Sequence, residues 1–507
     1  VPTNRGTAVP CLTALTLLIA VPAALLLAGC GVLGDGWWTN QAARTVHDPH
    51  AAGTVVENTR PGTSDWRIRH KGAEHEIEGY ADRVSVLPGQ SFRLFVSTTA
   101  AGFRVEAFRV GWYGGAQARR IWTSSRRPGT RQAAPVVSAG TRTVTAPWRP
   151  SLTVPTAHWP EGVYLLRLTA DTGAQRYVPL TLRSASTRGR VVVLNATTTW
   201  QAYNLWGGRN LYRGPGGHDD RSRAVSFDRP YDKNGTGKFM GYEHPAIVLA
   251  EKTGVPLAYA TDNDLHADPG LLDGARGLVS LGHDEYWSTR MRAHVTRARD
   301  RGANLAFLGA NAVNRHIRLD PTPLGPDRLV TCYKDAAEDP VSRTDPAEST
   351  QDWRLPPRPR PESDVMGIMY NCFPATGAFT VRRPDHWLLR GTGARRGTAF
   401  PGLIGPETDA LNPDGPTPRP IEIWAHSPID CGGTPMTADA AYYTTASGSG
   451  VVATGTMRWV CALRGPACGH GVTRRTQRFV ATVTGTLLRE MARGPLGAAH
   501  PARDDRP

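Results

Sequence analysis

Short stretches in which apolar and polar residues alternate run through the first third of the chain. Ser91-Phe92-Arg93-Leu94-Phe95-Val96 and Phe103-Arg104-Val105-Glu106-Ala107-Phe108-Arg109-Val110 carry the two-residue period of strands. Pro88-Gly89, Gly114-Gly115, Pro128-Gly129 and Glu161-Gly162 place turn signals between such runs. Short strands at that spacing predict an all-β, Ig-like sandwich over residues 55–187. After Arg190 the pattern changes. Val191-Val192-Val193-Leu194, Pro256–Ala260, Gly277–Leu281 and Asn304–Leu308 are nearly unbroken apolar runs, as in strands covered on both faces. Helical stretches lie between them; Ser288 suits the N-cap of a helix over Thr289–Arg301, and Gly302 suits its stop. Strands alternating with helices predict a doubly wound α/β domain, glutamine-amidotransferase-like or flavodoxin-like, over residues 188–493. The fold class is thus α/β plus all-β. Residues 320–420, rich in Pro and polar groups, read as a long insertion. Regular patterns resume at Ile421–Trp424, at Gly450–Gly455 and in a helix near Gln477–Arg493, and the tail over 494–507 reads as disordered.

The N-terminus is different again. Residues 9–29 are largely apolar behind Arg5, the arrangement of a secretory signal. Leu27-Ala28-Gly29-Cys30 resembles a bacterial lipobox, which implies cleavage before Cys30 and lipidation of its thiol. Residues 1–30 are then a signal peptide and 31–54 a tether. The expected location is the extracytoplasmic face of the cell membrane, held by an N-terminal lipid anchor. No later stretch of about 18 residues is apolar enough for a membrane span.

Composition changes this picture only in part. Of 507 residues, 40% are hydrophobic and 20% charged, which supports real cores and excludes a wholly disordered chain. The formal charge is +15, and only five of the 59 basic residues are lysines. The arginines form no basic block or recognisable motif, so no nucleic-acid partner is expected. Export gives the charge one role, since a tethered basic body would lie against anionic headgroups. An exported chain permits disulfides. Beyond Cys11 and Cys30 there remain Cys332, Cys372, Cys431, Cys461 and Cys468, of which Cys461 with Cys468 and Cys332 with Cys372 are the expected pairs. Five thiols leave at least one unpaired within the chain. Homo-oligomerisation is left open.

In open α/β sheets ligands bind beyond the carboxyl ends of the strands. Read that way, Gln201-Ala202-Tyr203-Asn204, Gly282-His283-Asp284-Glu285-Tyr286-Trp287, Gly309-Ala310-Asn311 and Glu422 converge on one rim. No G-x-S-x-G elbow, H-E-x-x-H, Walker A or G-x-G-x-x-G fingerprint occurs. A hydrolase here would need a metal-activated water or a paired acid and base.

Several motifs are family-like. Glu57-Asn58-Thr59-Arg60-Pro61-Gly62, Arg109-Val110-Gly111-Trp112-Tyr113-Gly114-Gly115 and Trp159-Pro160-Glu161-Gly162-Val163-Tyr164 resemble the sandwich of one family. Gly282-His283-Asp284-Glu285-Tyr286-Trp287-Ser288 and Gly455-Thr456-Met457-Arg458-Trp459 resemble its α/β part. The family is that of proteins similar to the large (beta) subunit of N,N-dimethylformamidase, over roughly residues 55–490. The resemblance implies hydrolysis of a small amide C–N bond at one ferric iron held by two tyrosines and a glutamate. Carried over, the glutamate is Glu285 and one tyrosine is Tyr203. The second is Tyr164, with Tyr231 as the alternative. Asn311, Glu422 and His283 are implied as pocket residues that orient the amide or move a proton. The lipobox departs from a cytoplasmic amidase and shifts the expected substrate toward an envelope or environmental amide. Two other readings compete. One is a non-catalytic surface lipoprotein that binds glycan or protein through its sandwich. The other is a carbohydrate-active enzyme with Asp284 or Glu285 paired to Glu422, whose separation would decide its chemistry.

Overall fold

The structure, a computed structural model, describes residues 51–413 and 415–507. The expected signal peptide, Cys30 and most of the tether lie outside the described residues. The last residues of the tether enter a helix, Ala51–Asn58.

Two sheets follow, antiparallel except for the short parallel edge strand Ser85–Val86. Ile77–Ala81, Ser91–Thr98 and Leu152–Pro155 form one. Gln175–Leu182, Gly162–Ala170, Gly102–Val110 and Ala118–Thr123 form the other, with Ser85–Val86 at its edge. Phe92, Leu94 and Val96 of the first sheet meet Val105, Ala107, Leu166 and Leu168 of the second in one core, as the alternation predicts. The second sheet departs from a simple polar outer face. Phe108, Val110, Val163 and Leu165 point the other way and are also buried, because that face packs on the α/β part. Strand parity therefore sends Val163 and Leu165 toward the α/β part and Tyr164 into the interior between the two sheets.

The larger sheet has nine strands. Leu257–Thr261, Val191–Asn195, Gly277–Gly282, Asn304–Gly309 and Gly450–Ala453 run parallel in that order. Thr434–Thr444, Ile421–Cys431 and Ala375–Thr380 extend it antiparallel. Neighbouring residues of one strand enter different cores: Val191 and Val193 join helices His244–Thr253 and Arg474–Arg493, whereas Val192 and Leu194 join Asp262–Ala267 and Thr289–Asp300. That is why the strands read as unbroken apolar runs. Ser288 caps its helix as expected, accepting from the Met291 backbone.

The motifs nearest the N-terminus meet at the junction between the two parts. Arg109 lies against Glu251 of helix His244–Thr253, with Nη2–Oε1 at 2.6 Å and Nη1–Oε2 at 2.9 Å. Both side chains are essentially without solvent contact. Asn58 donates to Glu251 at 2.7 Å and accepts from the Trp112 and Tyr113 backbones. Gly111 is required by this approach: a Cβ there would lie 2.3 Å from Glu251 Oε2.

Three expectations change. Cys372 bonds Cys431, not Cys332, because Ala375 pairs with Cys431 across adjacent strands and brings the two together. Cys332 is a buried thiol in a separate small core with Ala202, Val225 and Tyr286. Cys461 does bond Cys468. Residues 320–420, expected as a long insertion, contain regular strands: Gly325–Thr331 pairs with Arg315–Thr322, and Ala375–Thr380 joins the large sheet. The tail is ordered through 505, where the Asp505 backbone bonds Ile421 and Ile423 and its carboxylate bonds Arg382. Among the described residues no helix is long and apolar enough to cross a membrane.

Candidate active site

The parallel strands end close together. A Cβ on Gly309 would sit 1.8 Å from the Gly282 carbonyl, and Gly282 has φ +63°, so the two strand ends abut and turn as only glycine readily allows. This turn sends His283, Asp284 and Glu285 across the rim. Asp284 points inward, accepting from Ser280 Oγ and Trp287 Nε1, each at 2.8 Å. Glu285 points outward, and its backbone N–H donates to Thr199 Oγ1 at 3.0 Å. Thr199 belongs to helix Thr197–Tyr203, which follows strand Val191–Asn195 and carries Tyr203 at its last turn.

Tyr203 donates to Glu285 Oε2 at 2.7 Å. Tyr212 Oη lies 2.7 Å from Tyr203 Oη and 2.9 Å from each Glu285 oxygen. Tyr286 donates to Tyr212 Oη at 2.7 Å. One residue fixes the two tyrosines relative to each other: Asn210 Nδ2 donates to the Tyr203 carbonyl at 3.1 Å, and Asn210 Oδ1 accepts from the Tyr212 backbone at 2.9 Å.

The surroundings are strongly polar. His283 Nε2 stands 3.1 Å from Glu285 Oε2 and 3.6 Å from Glu407 Oε2, and neither ring nitrogen has an aligned hydrogen-bond partner. Asn311 donates to Glu407 Oε2 at 2.6 Å, while its own Oδ1 is buried without a partner. Asn311 has φ +54°, held by its backbone bond to Asp409. Two of the five lysines cover the phenols. Lys238 Nζ is 3.7 Å from the Tyr203 ring centre, and Lys334 Nζ is 3.1 Å from that of Tyr212.

Burial alone would raise the Glu285 pKa, but His283, Arg315 and Lys334 outweigh it and hold the carboxylate well below its usual range. Burial and then the Glu285 charge push Tyr203 and Tyr212 well above the usual phenol value. Burial, with the repulsion of Glu285, also raises Glu407. Burial lowers Lys334 to about 7. An anionic carboxylate and two protonated phenols therefore share one site with a second carboxyl whose proton affinity is raised.

Among the described residues no group of three or more His, Cys, Asp or Glu is arranged to hold a metal ion. A tyrosine–glutamate set is a different donor class, and its spacing fits. Oxygens about 2.0–2.1 Å from an octahedral ion lie about 2.9 Å apart along each edge. The Tyr203, Tyr212 and Glu285 oxygens are separated by 2.7–2.9 Å. Hard oxygen donors of this kind suit a ferric ion.

The site brings together Tyr203, Glu285, His283 and Asn311, and leaves the other expected members elsewhere. Tyr164 donates to the Pro160 carbonyl inside the sandwich, as its strand parity dictates. Tyr231 packs edge-on against Trp200 and makes no contact with Glu285. Glu422 lies below the rim. Ile421 begins its strand rather than ending one, and Glu422 pairs with Tyr442 opposite Val452, level with Ala306 and three residues short of Gly309. There Glu422 accepts from the Arg503 backbone and neighbours His386. Tyr212, Glu407, Lys238 and Lys334 are the members the sequence reading missed. The scarcity of lysine was a usable signal for two of them.

A family model described as N,N-dimethylformamidase beta subunit-like, C-terminal, matches residues 104–473, a span that holds every residue of this cluster. No curated protein matches the chain.

Proposed function

The chain belongs to the N,N-dimethylformamidase beta subunit-like family, and on that premise we propose that it is an iron-dependent hydrolase of a small amide C–N bond, exported and lipid-anchored at the extracytoplasmic face. In this reading the body is an Ig-like sandwich joined to a doubly wound α/β domain. The observation that carries the proposal is the triangle of Tyr203, Tyr212 and Glu285 oxygens at the rim. Those three residues would hold the ion. When bound, ferric iron supplies Lewis acidity toward the amide oxygen and lowers the pKa of water.

The remaining steps belong to the chain's own residues. The unpartnered Asn311 Oδ1 and its Nδ2 orient the amide. Glu407 takes the proton from the attacking water and delivers it to the departing amine nitrogen, a task for which its raised pKa suits it. His283 Nε2 lies between the Glu285 and Glu407 carboxylates and borders the path of that proton. Lys238 and Lys334 favour the phenolate form of the rings beneath them and shield the site from bulk water.

The test is amine release from a panel of small amides, N,N-dimethylformamide included, by iron-loaded full-length protein. Turnover that disappears in Glu407→Gln and Asn311→Ala, with iron retained, is expected. No hydrolysis of any amide at full iron occupancy would reject the proposal.

A further inference from the structure

The arginines of this chain are mostly paired: Arg109, Arg126, Arg167, Arg318 and Arg354, for example, each face a carboxylate. One face is an exception. Helix Arg474–Arg493 exposes Arg474, Arg475 and Arg478, with the half-buried Arg489 three to four turns further along the same arc. None of these has an ion-pair partner among the described residues. The segments flanking the helix extend the patch. Thr476 donates to the Pro401 carbonyl and the Arg475 guanidinium lies 5.4 Å from the Phe400 ring centre. A Cβ on Gly391 would touch Thr482. The loop on that side therefore adds the exposed Arg390, Arg395 and Arg396. On the other side Gln477 donates to the Leu463 carbonyl, which brings in exposed Arg464.

Carboxylates are sparse along the segments that form this patch. Asp and Glu are 44 of 507 residues, yet none occurs in 386–406 or in 440–489. A compositional preference for arginine over lysine does not explain the missing acids. The placement also works against the helix: its first turn carries no acidic residue, and Arg474 and Arg475 sit where the helix dipole is already positive. A face that is electrostatically unfavourable to its own helix is best accounted for by an anionic partner.

We propose that this arginine face docks the body onto an anionic lipid surface. A lipid surface is favoured over nucleic acid by the apolar N-terminal stretch of residues 9–29, which points to a life at the membrane, and by the absence of a nucleic-acid-binding motif. Each arginine held near an anionic bilayer contributes to adsorption, so a cluster acts together and is weakened by salt.

The test uses the full chain with vesicles of phosphatidylcholine, with and without about 30 mol% phosphatidylglycerol. Arg474→Gln/Arg475→Gln/Arg478→Gln is compared with a control that removes equal charge from the sandwich, Arg104→Gln/Arg131→Gln/Arg149→Gln. The expected result is preferential binding of wild type to the anionic vesicles, weakened roughly tenfold or more in the helix variant and little changed in the control. Thermal stability of the helix variant should be unchanged or higher, since the dipole repulsion is relieved. Equal binding to both vesicle types overturns the proposal, as does equal loss in the control. So does duplex DNA held more tightly than the anionic vesicles.

Discussion

The junction between the sandwich and the α/β part offers the sharpest stability prediction. Glu251 accepts two hydrogen bonds from Arg109 at 2.6 and 2.9 Å, one from Asn58 at 2.7 Å and one from Tyr259. Both members of the ion pair are fully buried. Replacing Glu251 by Gln keeps the volume and one acceptor oxygen but leaves the Arg109 charge without a counterion in a dry environment. Removing one partner of a buried pair costs about 3–5 kcal/mol. Replacing both by apolar residues, Arg109→Met with Glu251→Met, removes the stranded charge as well, so the double variant should be markedly more stable than the two single losses sum to. A coupling of about 2 kcal/mol or more is expected for groups in direct contact. The measurement is urea unfolding followed by tryptophan fluorescence, with Trp66 and Trp112 bordering the junction core. A Glu251→Gln loss below about 1 kcal/mol, or strict additivity in the double variant, would refute the view that this pair locks the two parts together.

Three further outcomes follow from particular contacts. Asn210→Ala releases both the Tyr203 carbonyl and the Tyr212 backbone, so iron affinity should fall about 10-fold or more, as for other outer-shell partners; equilibrium metal competition reads this directly. Burial raises the Glu243 carboxyl from 4.5 to about 8 despite its bonds from Asn195 and Trp200. The folded state therefore binds the proton more tightly than the unfolded state, and the stability this group contributes below pH 4.5 is lost as pH rises toward about 8. Glu243→Gln should flatten the unfolding midpoint over that window, and an unchanged slope would contradict the reading. The Cys372–Cys431 bond closes a 59-residue separation, for which chain entropy gives about 4 kcal/mol; the Cys372→Ser/Cys431→Ser double variant should unfold at lower denaturant by a corresponding amount.

Much of this arrangement was legible because it is local. The parallel strands announce themselves through apolar neighbours such as Val192 and Val193, which face different cores. Ser288 caps its helix by its own side chain. His283, Glu285 and Asn311 were legible because each directly follows a strand end. What failed depends on parity, direction or distant pairing. Tyr164 is one residue out of phase with the face that meets the α/β part. Glu422 is the second residue of its strand rather than one past a strand end, so it lies below the rim. Cys372 finds Cys431 only through the antiparallel extension of the sheet. Tyr212 and Glu407 sit in irregular segments whose place is set by single side chains such as Asn210 and Asn311, and no periodicity marks them.

The central claim is that Tyr203, Tyr212 and Glu285 form one metal centre. The most direct test is elemental analysis of the full-length protein together with its visible spectrum. About one iron per chain and a phenolate-to-iron absorption band are predicted, both lost in Tyr212→Phe and Glu285→Ala and both retained in Tyr164→Phe. Protein that takes up no iron, or that keeps iron and an unchanged band in Tyr212→Phe and Glu285→Ala, would contradict it.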